Sequence, residues 1–350
     1  IVRKACDISF RLWTKGIVFM KNLARKACNI SYKGIKEESK MAEITAALVK
    51  ELREVTGAGM MACKKALAAV EGDMEKAIEH LREQGLAGAE KKAGRIAAEG
   101  VSFTKLSSDG KRGVVVEVNA ETDFVAKNEK FRTFVDEVAA QALDSDAKDI
   151  DAFLAEKWKL DPSKTVSEQL SATISVIGEN MHIRRFEKLE EPNGLVQDYV
   201  HSGGRIGVLL QVKSSVVNDA VKEMAKNVAM QIAALNPKYI TRAEVDQDYL
   251  KNEKEILLAA AKNEKPNAPE KVLLGMVEGR LNKELKEVCL VDQVYVRAED
   301  GKQTVGQYVE SVAKQAGAEL SLVRFVRFET GEGLEKKNED FAAEVAAQMK

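Results

Sequence analysis

Apolar residues recur at helical spacing where the chain first becomes regular. Ile44, Leu48, Leu52 and Val55 share one face of a helix over residues 43–55. Gly57 and Gly59 let the backbone reverse, and a second helix follows with Met60, Cys63, Leu67 and Val70 on one face. Gly72 and Asp73 break it. Asp73 reads as the N-cap of a third short helix that carries Met74, Ala77, Ile78 and Leu81 and stops at Gly85. Three short helices enclose only a small core, which suits docking better than chemistry.

After a link rich in Ala, Gly and Lys, the period changes. Residues 114–118 read as a strand, followed by a helix with Phe131, Phe134, Val135, Val138 and Ala142 on one face and then a strand at 181–186. The plan repeats. Residues 206–212 form a strand, Val217, Val221, Met224, Ala225, Val228 and Ile232 mark a helix, and residues 323–328 close the unit. Two related α+β subdomains are the economical architecture. The second half adds a helical stretch at 243–286, interrupted where Pro266 and Pro269 cannot continue a helix. The two arms form an antiparallel hairpin, with Leu250, Ile256 and Leu257 facing Leu273, Leu274, Val277 and Leu281.

Composition narrows the class. The 350 residues are 45% hydrophobic and 31% charged, with 23 Gly and 5 Pro, which excludes collagen-like and disordered chains and allows two or three domains. No apolar run reaches the roughly 18–20 residues of a membrane span. Near-neutral charge hides an asymmetry: residues 1–40 hold ten Lys and Arg against three Asp and Glu, whereas residues 41–350 hold 44 against 52. The body is acidic, which argues against direct nucleic-acid binding and suits a protein partner. Cys6, Cys28, Cys63 and Cys289 form no metal or disulfide pattern, so a reducing cytoplasm is expected. Residues 1–40 have the composition of a transit peptide but no long amphipathic period; they are read as an upstream-frame or fragment extension outside the fold.

Enzyme chemistry finds little support. Neither phosphate-loop nor dinucleotide glycine motifs occur, and Gly203-Gly204-Arg205-Ile206-Gly207 enters a strand, whereas a phosphate cradle opens a helix. His80, His182 and His201 have no neighbouring nucleophile or ligand cluster; His201, in a loop, is the one suited to partner contact. The segment Thr122-Asp123-Phe124-Val125 follows a hydrophobic strand, where a connection presents side chains outward. Spacing leaves two readings open: Phe124 buried with Asp123 capping the next helix, or both offered to a partner.

The stretch Leu52 to Leu67, reading LREVTGAGMMACKKAL, resembles the amino-terminal signature of bacterial translation elongation factor Ts. Glu117 to Lys127, EVNAETDFVAK, resembles that family's second signature, with Ala120 where Cys, Ser or Val is more usual. Ile177 to Asn180, His201 with Arg205 to Leu209, Met276 to Arg280 and Asp340 to Ala346 also resemble family segments, in family order.

That resemblance covers 41–350 and implies an exchange factor for the GTPase elongation factor Tu, acting on its GDP-bound form, with no covalent chemistry and no cofactor or metal of its own. The implied α+β fold has a three-helix, ubiquitin-associated-like docking module at 41–86 and a linker at 87–98. Core subdomains follow at 99–192 and 193–328, the second with the hairpin at 243–286, and a carboxy-terminal module at 329–350. Lys64 would contact the GTPase domain. Asp123 and Phe124 would enter beside its magnesium and phosphate site, with Ile177, Gly178 and His201 as further contacts and the hairpin a dimerisation element in some members. Read without the resemblance, the three-helix unit also fits a scaffolding or ubiquitin-like-binding module, and dispersed catalytic residues leave a hydrolase open.

Overall fold

The computed structural model describes residues 44–335, so the extension at 1–40 and most of the carboxy-terminal module at 329–350 lie outside the described residues. Helices and three small antiparallel sheets make up the described chain, the α+β class expected. No helix among these residues is long and apolar enough to cross a membrane. The chain divides into two units, Ile1–Leu81 and Arg82–Lys350.

In the first unit, helix α1 (Ala46–Thr56) starts at Thr45, whose hydroxyl accepts from the Leu48 N–H at 3.3 Å, and ends at Gly57 with φ 66°, a left-handed cap suited to glycine. Helix α2 (Met60–Ala69) follows. Leu52, Cys63, Ala66, Leu67 and Ala77 are fully enclosed and form the core with Val49. The helical stripe continues too far at its ends: Val55 and Met60, expected on the buried face, are exposed. Helix α3 (Met74–Glu90) does not stop at Gly85, and the first residues of the expected link are helical. From Arg82 onward the helix belongs to the second unit, and packing there overrides the glycine: Gly85 lies against Ser171 and Ser175, and Arg82 pairs with Glu168 at 2.5 Å.

In the second unit, β1 (Glu99–Leu106), β2 (Arg112–Ala120) and β5 (Met181–Glu190) form one antiparallel sheet in the order β1-β2-β5. A second sheet, β6 (Gly194–His201), β7 (Ile206–Ser214) and β8 (Leu320–Glu329), has the order β6-β7-β8. The central strands alternate. Val114, Val116 and Val118 face helix α5 (Glu129–Asp144), while Val208, Leu210 and Val212 face helix α8 (Asp219–Leu235). Val115 and Leu209, on the opposite faces, meet between the sheets with Leu189, Val196, Val326 and Phe328. The sheets approach closely: a Cβ on Gly113 would stand 2.9 Å from Val196. Their ladders share a further detail, a register shift at Glu117/Val118 in one and at Gln211/Val212 in the other.

Between the sheets lies a buried carboxylate. Glu117 has no exposed surface and takes Arg184 at 3.0 Å, Arg185 at 2.6 Å, the Asn119 amide at 3.1 Å and the Gly331 N–H at 2.8 Å. Burial alone would raise its pKa; the Gly331 N–H, Asn119 and Arg185 together outweigh it and hold the carboxyl below its ordinary value.

Helices α6 (Ile150–Ala155) and α7 (Val166–Ile177), with the ribbon β3 (Lys157–Trp158) and β4 (Asp161–Thr165), connect α5 to β5. Val217, expected on the face of α8, precedes the helix and is exposed. The hairpin consists of α9 (Gln247–Glu264) and α10 (Glu270–Val288). Its seam is Leu257, Ala261, Leu273 and Val277 towards the turn, and Val245, Leu250, Leu281, Leu285 and Cys289 towards the base. Ile256 and Leu274, expected in that seam, face outward with 61% and 47% exposure. Helix α11 (Val305–Ala316) completes the core under the second sheet.

Candidate partner-binding surface

The connection leaving β2 makes one short helical turn, α4 (Asp123–Ala126), before Asn128 caps α5. Thr122 caps that turn by accepting from the Val125 N–H at 3.4 Å. Val125 and Ala126 are buried, which fixes the turn's inner side and turns the preceding residue outward. Phe124 is 80% exposed. Asp123 also faces solvent, with its carboxylate 2.6 Å from the Lys127 ammonium. The alternative of a buried Phe124 is thereby settled for the free chain, and the N-cap is Thr122, not Asp123.

Two dipeptides hold the turn by crossed hydrogen bonds. The Glu179 carboxylate accepts from the Thr122 N–H at 3.0 Å and its hydroxyl at 2.8 Å. The Glu121 carboxylate accepts from the Asn180 N–H at 2.5 Å. Glu179 and Asn180 reach this position because Gly178 closes α7 with φ 93°, sending the chain back into β5. Ile177 is half-buried against the same core, and Gly178 is exposed beside it. The structure therefore brings Asp123, Phe124, Ile177 and Gly178 to one place.

His201 ends β6 at the tip of the β6–β7 ribbon, its Nδ1 3.0 Å from the Tyr199 hydroxyl. The tip is fastened to α5 by Arg132, which donates to the Gly203 carbonyl at 2.6 Å. Lys64 belongs to the first unit, exposed on α2 beside the exposed Met60 and Met61. Nothing in the local sequence marks Glu121, Glu179 and Asn180 as supports. Glu179 and Thr122 are 57 residues apart, so no local spacing reports their contact.

The connection leaving β7 supplies a comparison. From Ser214 the chain reaches the α8 cap, Asn218, through only Ser215, Val216 and Val217, whereas seven residues separate Ala120 from Asn128. The difference of four equals the length of α4. The surface around Phe124 offers an exposed ring, a carboxylate and a stiff backbone, the parts of a binding surface.

A family model described as Elongation factor TS matches residues 121–332. The elongation factor Ts of Clostridium novyi (strain NT) is 53% identical over 306 residues, covering 87% of this chain and 99% of that protein. That of Clostridium perfringens (strain 13 / Type A) is 52% identical over 303 residues, 87% and 98% of the two chains. That of Clostridioides difficile (strain 630) is 50% identical over 310 residues, 89% and 100%.

Proposed function

The chain belongs to the elongation factor Ts family, and from that premise we propose that it is a guanine nucleotide exchange factor of translation elongation. It binds elongation factor Tu carrying GDP, disturbs the magnesium and phosphate site, and promotes GDP release so that GTP rebinds. The observation that carries this reading is Phe124, 80% exposed on a turn held by Thr122, Glu121, Glu179 and Asn180. An exposed aromatic on a rigid support loses little conformational entropy on binding.

An exchange factor stabilises the nucleotide-free GTPase, and by linkage nucleotide weakens the factor equally. A shift of four decades in population requires about 5.5 kcal/mol of differential binding. Burying one phenylalanine contributes about 1.5–3 kcal/mol, so Phe124 needs help. Asp123 provides it at the metal and phosphate site, Ile177 and Gly178 extend the same contact, and His201 and Lys64 engage the GTPase elsewhere. The factor binds and departs, so it accelerates release without moving the final nucleotide equilibrium and catalyses no covalent step.

In this reading α1 to α3 are the family's ubiquitin-associated-like docking module, the two sheet-and-helix halves are its related core subdomains, and residues 329–350 are its carboxy-terminal module. The hairpin is its protruding element, and outward Ile256, Val272 and Leu274 support self-association there. The protein works in the cytoplasm, without direct nucleic-acid or membrane contact. Release of fluorescent GDP from elongation factor Tu, with and without the chain, tests the proposal; an unaltered release rate at saturating chain would refute it.

A further inference from the structure

We propose that Asn180 is a positioning residue that ties the link from the amino-terminal helices to the turn presenting Asp123 and Phe124, so that docking through the first is transmitted to the second. The inference rests on the exchange reading and adds to it a route between two of its contact regions.

Asn180 is a polar residue with 1% exposure at the entrance to β5. Its side-chain amide nitrogen donates to the Arg95 carbonyl at 2.8 Å, with the Ala93 carbonyl at 3.4 Å and His182 Nε2 at 3.0 Å. Its backbone N–H donates to Glu121, and the Arg95 guanidinium approaches the same Glu121 oxygen at 3.4 Å. Arg95 is therefore held at both ends, by its carbonyl on Asn180 and by its side chain on Glu121. The next residue, Thr122, is held by Glu179, the neighbour of Asn180. Residues 91–95 are otherwise a succession of short-range turns, with Lys92, Ala93 and Arg95 donating to carbonyls three residues back. Asn180 thus joins a segment with few restraints of its own to a well-restrained turn. Connected hydrogen bonds of this kind are a physical medium for coupling between sites, which the combination of variants measures.

The amide is the chemical requirement. An aspartate has the same shape but no N–H to give, and it would set a carboxylate against the Arg95 carbonyl and beside Glu121.

The test uses the full chain and measures release of fluorescent GDP from elongation factor Tu against chain concentration. Asn180→Asp is expected to slow saturated release about five- to tenfold, the effect of one buried hydrogen bond. Its loss and that of Lys64→Ala should combine to less than their product, because docking no longer reaches the turn. Amides of residues 91–98 and 121–125 should exchange faster together, with the rest of the core unchanged. Should Asn180→Asp fail to fold, Arg95→Ala keeps the carbonyl on Asn180 but removes the guanidinium from Glu121, so it cuts the other half of the tie from a solvent-exposed side chain and should show the same less-than-product combination. A folded variant with normal saturated release, or losses that multiply independently, overturns the proposal. If the unaltered chain releases no GDP, the exchange reading fails, and amide exchange alone judges the tie: joint acceleration supports it and an unchanged pattern overturns it.

Discussion

Glu179 grips Thr122 twice, through the backbone N–H and through the hydroxyl, across 57 residues of sequence. One carboxylate thus sets the direction in which the next two residues point. Hydrogen bonds to a charged group are worth about 1.5–3 kcal/mol, and Glu179 is only half-buried. Glu179→Ala should therefore cost about 1–2 kcal/mol of stability by denaturant titration and slow GDP release. Hydrogen exchange at the Thr122 amide should accelerate before global unfolding does.

Truncating Phe124 should separate binding from folding. The ring is outside the core, so Phe124→Ala is expected to alter stability by no more than about 0.5 kcal/mol. Removing up to about 3 kcal/mol of burial on the partner slows release by roughly one to two decades. Asp123→Ala should act in the same direction, and the double variant should be less than additive if both residues serve one site, as proposed. Melting curves and fluorescent-GDP release on the same samples check this; a melting temperature lowered with normal release per folded molecule would contradict it.

Glu117 should govern the acid limb of stability. Its folded pKa is depressed, so its contribution is complete above the ordinary value of 4.5 and is lost as pH falls towards and through the folded value. Glu117→Gln leaves Arg184 and Arg185 without their buried counter-charge, a loss of about 3–5 kcal/mol by the behaviour of broken buried pairs. Urea midpoints between pH 7 and pH 3 should fall steeply for the parent and less steeply for the variant.

The hairpin should be removable only above its base. Leu281 and Leu285 pack with Val245 and Cys289, and Arg242 pairs with Asp292 at 2.6 Å and with Asn282 at 2.9 Å. Replacing residues 251–280 with a short Gly/Ser linker is expected to keep the body's melting temperature and basal exchange while weakening self-association or GTPase affinity. Replacing 246–285 also removes three leucines, Leu250, Leu281 and Leu285, from the base and should destabilise the body, which calorimetry on the two variants distinguishes.

Legibility followed the geometry of burial. The central strands and the helices over them were evident because Val114, Val116 and Val118, or Met224, Val228 and Ile232, repeat at the period of their element. The alternation does not mark strands β1 and β6, because polar residues point between the sheets. Ser102 is buried with its hydroxyl 3.0 Å from Thr330, and Thr104 donates to Asp198 at 2.7 Å. Such partners lie 228 and 94 residues away and satisfy groups that a local pattern marks as solvent-facing. The same distance hid the supports of the site. Spacing leaves the exposure of Asp123 and Phe124 undecided; the buried pair Val125 and Ala126 decides it in the folded chain.

The unequal lengths of the two strand-to-helix connections bear on how such a surface originates. A turn of four residues added between a strand end and a helix cap leaves both anchors, Ala120 and Asn128, serving the same architectural roles that Ser214 and Asn218 serve with the shorter span. In the proposed reading, the recognition turn is a four-residue difference between two otherwise matching connections, and the shorter one shows that the strand and helix can be joined without it. Four inserted residues alone would not turn it into a second display, because the longer turn also depends on Glu121, Glu179 and Asn180.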